Sequence, residues 1–133
     1  MIRSLFAVIA GFVLWSALWL GYNALLTTLG ILPAASANPV QAPMPLLLLL
    51  AGSILFSLAA GYATTALVRT PGYRHTLVLG VLLLGIGILV QAQFWQLMPL
   101  WYHLCFLALL LPATGLGGTL RQRTGRQLAQ KSV

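Results

Sequence analysis

Apolar residues fall into four long stretches, divided by short breaks rich in proline, glycine or basic residues. The most ordered stretch is PLLLLLAGSILFSLAAGYATTALVR, residues 45–69. It is long enough to cross a bilayer, for which a helix needs ~20 apolar residues. Ser53, Ser57, Gly61 and Thr65 lie four apart in it, so they share one ridge of a helix, and the other faces are Leu, Ile and Phe. A ridge of small residues lets a neighbouring helix approach closely, and Gly61 is expected where two backbones come nearest. The pattern predicts helices at about 4–26, 46–68, 76–94 and 100–120, an outer loop over 27–45 and a basic tail over 121–133. The fold class expected is an all-α membrane protein, a four-helix transmembrane bundle forming one domain over 1–133.

The other helices carry related patterns. In the first, Ala10, Ala17, Gly21, Ala24 and Thr28 share a narrow face, and Trp15, Trp19 and Tyr22 gather in the second half, as at a membrane interface. A signal peptide is the competing reading of this segment, but the apolar run exceeds the 7–15 residues of a signal core, so a retained helix is expected. In the third, Gly80, Leu84, Gly87 and Gln91 share a face. The fourth holds Pro112, expected to kink it, and then the glycine-rich run that includes Gly117. Pro33, Pro39 and Pro43 keep the first connection free of helix. It reads as a surface loop lying on the membrane, with a short re-entrant or lid element as the alternative. Arg69-Thr70-Pro71-Gly72 is a stop and turn signal. The tail carries Arg121, Arg123, Arg126 and Lys131 without apolar periodicity and reads as mobile. Small-residue clusters before Arg69 and Arg121 raise the prospect of two repeated hairpins.

Composition sharpens this picture. Hydrophobic residues make up 60% of the 133 and charged residues 5%, against ~25% charged in a soluble domain. There are seven Lys and Arg and no Asp or Glu, a formal charge of +7. With four crossings, all seven cations fall on one side, which by the positive-inside rule places both termini in the cytoplasm. Arg69, Arg74, Arg121, Arg123 and Arg126 are then candidates for contact with anionic lipid headgroups. A nucleic-acid partner is not expected, since no basic helical face or aromatic-basic groove exists. Without carboxylates the chain cannot support paired-carboxylate hydrolysis, a carboxylate metal site or an acidic proton relay. The single Cys105 excludes an internal disulfide.

Candidate chemistry is correspondingly thin. Asn23, Gln91, Gln93, Gln96 and His103 lie in the outer third, and Asn23, Gln91 and His103 are the candidates for a polar cavity. His103 beside Trp101 and Tyr102 reads as a solvated interfacial residue in preference to a pigment ligand. No catalytic residue, metal ligand or cofactor is expected.

The start MIRSLFAVIAGF, the small-residue second helix and the fourth-helix sequence PLWYHLCFLALLLPATGLGGTLR resemble a broad group of uncharacterised small four-helix bacterial inner-membrane proteins. That resemblance implies four helices and the bacterial inner membrane, and carries no activity with it. The small multidrug exporters need an intramembrane Glu that this chain lacks. The function expected is a structural or accessory subunit acting through helix packing and lipid contact, with membrane lipids and a membrane protein or second copy as partners. The alternative is a small homo-oligomeric transporter or channel for a neutral, anionic or lipophilic solute.

Overall fold

In the computed structural model, which describes residues 1–34, 39–68 and 73–133, the chain is all-helical. The helices are α1 (Ile2–Thr28), α2 (Pro43–Leu67), α3 (Tyr73–Gln93) and α4 (Leu100–Lys131), each long and apolar enough to cross a membrane. Pro43 and Pro45 occupy the first turn of α2, where a missing N–H costs nothing. The turn signal 69–72 lies outside the described residues, and Arg69 with it.

α2 is packed against all three other helices, most extensively α4. It runs antiparallel to α1. From one end of that pair to the other, Tyr22 Oη donates to Leu48 O at 2.9 Å, Trp15 Nε1 to Ser57 Oγ at 3.0 Å, Thr64 Oγ1 to Ala7 O at 3.3 Å, and Arg3 Nε to Leu67 O at 2.9 Å. Against α4 the relation is parallel. Leu49 lines one cavity with Tyr102 at one end, and Val68 another with Gly125 at the other. Around the bundle the order is α1, α2, α4, α3, and α3 closes the ring on α1.

Glycine decides the α2–α4 contact. A Cβ at Gly61 would overlap the Thr114 carbonyl, and a Cβ at Gly117 would overlap the Leu58 carbonyl. Each helix therefore receives the other's backbone oxygen in a glycine notch, a geometry in which Cα–H···O contacts add to dispersion. Ser53, Ser57 and Thr65 are buried on the same helix. Leu58 enters this contact through its backbone carbonyl. Gly80 and Gly87 are buried against leucine side chains of α4, Gly80 against Leu111 and Gly87 against Leu110 and Leu107.

Three expectations need correction. The tail is not an irregular segment, because α4 continues through it to Lys131. Its residues Gln122, Arg123, Gln127, Leu128 and Ala129 are sound helix formers, and they extend a helix already nucleated. The narrow α1 face points away from the bundle: Ala17, Gly21, Ala24 and Thr28 are exposed. α1 packs instead through Ala7, Gly11, Trp15 and Leu26, where Gly11 admits Thr64. Trp15 and Trp19 are not belt residues. They stack at 5.5 Å between ring centroids and pack on Phe106 of α4, and Trp15 is almost fully buried.

α1 ends in a Schellman turn. Gly30, at φ 74°, takes the left-handed position, Ile31 N donates to Leu26 O and Gly30 N to Thr27 O. The chain folds back over the bundle end, burying Leu32 and Val40, and Val40 N donates to Leu97 O at 2.8 Å. The described parts of this connection thus pack on the end of the bundle.

Candidate functional site

The end of the bundle under that connection holds a half-open pocket of about 190 Å3. Four elements build it. α1 supplies Trp19, Asn23 and Thr27, α2 Leu49, α3 Val90 and Gln91, and α4 Tyr102. The connections add Leu32, Pro33, Val40, Phe94, Leu97 and Met98. The walls are apolar and aromatic, with two amides and a phenol set into them, the usual make-up of a small-molecule site.

Each amide is held. Asn23 Nδ2 donates to Trp19 O at 2.8 Å one turn back, and the Thr27 hydroxyl donates to the Asn23 backbone carbonyl at 2.9 Å. Gln91 is 4% exposed, and its Oε1 lies 2.5 Å from His103 Nδ1. An amide oxygen can only accept, so Nδ1 carries the proton of this bond. Nε2 is buried and has no partner among the described residues. Trp95 stacks on the ring at 4.7 Å and 13°, which fixes its plane.

His103 is therefore not a solvated interfacial residue, as its place beside Trp101 suggested. It is fully buried and acts behind Gln91, outside the pocket lining. Gln93 and Gln96 are exposed and take no part in the pocket. Tyr102 and Trp19 were not singled out on sequence as lining residues. Helical spacing holds the signal for Trp19, four residues before Asn23 on the same face. No group of His, Cys, Asp and Glu able to hold a metal occurs among the described residues.

Every Lys and Arg among the described residues lies at the opposite end. Arg3 caps the last carbonyl of α2, Arg74 opens α3 and is exposed, and Arg123 and Arg126 are exposed on the projecting part of α4. Arg121 is half-buried, its guanidinium carbon 5.8 Å from the Tyr62 ring centroid. Compared with known protein families, curated proteins and solved structures, the chain matches none.

Proposed function

We propose that the chain is a non-catalytic multi-pass protein of the bacterial inner membrane, an accessory subunit that works through helix packing and lipid contact. In this reading its outer pocket holds a neutral, lipophilic molecule. The clustering of cations at the end opposite the pocket supports termini in the cytoplasm and a pocket at the outer face. At about 190 Å3 the site is below the ~300 Å3 of ordinary drug-sized pockets. A small molecule, or one end of a lipid chain, suits it.

The observation that carries binding over conduction is what lies beneath Gln91. Leu79, Leu83, Phe106 and Leu110 are buried to within 2%, and α2 meets α4 backbone to backbone at Gly61. Beyond Gln91 and His103 the buried polar side chains among the described residues are hydroxyls alone, at Ser53, Ser57, Thr64, Thr65, Thr76 and Thr114, so no buried charge or amide lines a way through a single bundle. The test is purification in mild detergent, followed by extraction and mass spectrometry of bound lipophilic molecules. Wild-type protein is expected to retain one that Gln91→Leu loses. Equal retention by both overturns the pocket as the site. Saturable flux of a neutral solute through reconstituted protein overturns the accessory reading in favour of a transporter.

A further inference from the structure

A groove of about 520 Å3 lies at the basic end, between the last turn of α2 and the projecting part of α4. Thr65 and Val68 form one wall, and Arg121, Gln122, Gly125 and Arg126 the other. The α4 residues recur at helical spacing, so they occupy one face. Arg123 and Lys131 fall off that face and outside the groove. Arg121 is held in place within it. Tyr62 faces its guanidinium, and one Nη atom lies 3.5 Å from the point where a side chain at Gly125 would begin.

We propose that this groove is a binding site for the phosphate of an anionic lipid headgroup, held by Arg121 and Arg126. The chain has no Asp or Glu, so neither guanidinium has a side-chain carboxylate to pair with inside the protein. A guanidinium presents a fork of N–H donors matched to phosphate oxygens. Depth selects a lipid as the source. Residues 100–120 of α4, at about 1.5 Å each, cover about 30 Å, the thickness of the hydrocarbon layer. Arg121 then stands at headgroup level, with the apolar wall of Val68 beside it for the start of the acyl chains. Gly125 leaves the notch open.

The inference rests on the bundle being membrane-embedded, and the experiment separates the two. Full-length protein in mild detergent is titrated with short-chain phosphatidylglycerol and, in parallel, short-chain phosphatidylcholine. Binding is read by native mass spectrometry. Two double variants remove the same charge, Arg121→Gln with Arg126→Gln in the groove and Arg123→Gln with Lys131→Gln outside it. Wild type is expected to prefer phosphatidylglycerol. The groove pair is expected to lose at least about tenfold in affinity, the scale of one charged hydrogen bond, and the outer pair to change less than about twofold, as weak screened surface charges do.

Gly125→Leu keeps every charge and improves helix propensity while filling the notch, and it should match the groove pair. This variant keeps the test valid if the groove pair misfolds. Equal losses in both pairs, or an unaltered Gly125→Leu, overturn the site in favour of diffuse attraction to a basic helix. Competition by millimolar inorganic phosphate as strong as by the lipid overturns the lipid as source. Release of the protein from membranes by alkaline carbonate overturns the membrane reading itself, whereas lost lipid preference in protein that stays with the membrane overturns the groove alone.

Discussion

Gly61→Ala is the sharpest single perturbation of this bundle. The added methyl meets the Thr114 carbonyl and the Gly118 N–H of α4. These are backbone atoms inside a continuous helix, so no rotamer change relieves the overlap and α2 and α4 must move apart. Overpacking a fitted contact costs typically about 1–3 kcal/mol. Alanine returns up to about 1 kcal/mol as the better helix former, so the net loss is about 0–2 kcal/mol. A matched control removes the propensity term. Gly85, also mid-helix, has nothing within 4 Å of an added Cβ, so Gly85→Ala should be neutral or stabilising. The difference between the two variants is the steric term alone, about 1–3 kcal/mol. Gly87→Ala should fall between them, since its neighbours are the ends of Leu110 and Leu107, which can swing away. The assay is reversible unfolding of detergent-solubilised protein by denaturing detergent, with oligomer size followed in parallel. If Gly61→Ala is no less stable than Gly85→Ala, the backbone-to-backbone contact does not exist and the packing described here is wrong.

Further outcomes follow from other contacts. A reporter fused after Val133 should be active in the cytoplasm and one inserted at 36–38 should be active outside; the reverse result would invert the orientation. Trp15→Phe should cost about 1 kcal/mol in unfolding, because the buried Ser57 hydroxyl loses its donor, and combining it with Ser57→Ala should recover part of that loss. Gln91→Leu should destabilise by about 1–3 kcal/mol by stranding His103 Nδ1. The double variant Gln91→Leu with His103→Phe should cost less than the two singles summed, and strict additivity would refute the pairing.

Much of the architecture was legible because helices long and apolar enough to cross a membrane announce themselves by length and hydropathy. The helix start at Leu100, just after Pro99, follows from proline chemistry, and the ridge from Ser53 to Thr65 from four-residue spacing, whereas Pro43, assigned on sequence to the helix-free connection, opens α2 because its missing N–H costs nothing in a first turn. Which way a face points was less legible. Small residues recur on α1 at Ala17, Gly21 and Ala24 as they do on α2, yet these are exposed, and the small residues of α1 that are covered, Ala7 and Gly11, lie on a different face. In an apolar chain both lipid and protein accept small residues, so periodicity alone does not choose. His103 shows a second limit. Trp101 and Leu104 are exposed while Tyr102 and His103 between them are buried, because a helix turns about 100° per residue and only part of each turn faces the bundle. Gln91, the partner of His103, comes from another helix, and no local pattern records that meeting. The tail was misread for the opposite reason: without apolar periodicity nothing marked it as helix, although continuity with α4 sufficed.

The polar contacts are unevenly shared, and that bears on how the chain assembles. Four side-chain hydrogen bonds tie α1 to α2 along their whole length. Between α2 and α4, the most extensive pairing, no such bond occurs among the described residues, and the join relies on the reciprocal notches at Gly61 and Gly117. In the membrane-embedded reading proposed above, the first half of the chain can clasp itself as soon as it is inserted, before the second half has been made. The second half then finds a ready-made mould, and it docks by shape once α4 is complete. Insertion first and side-by-side association second is the general order for membrane helices. Here the two stages are written into different chemistries, a hydrogen-bonded clasp for the early one and a steric fit for the late one.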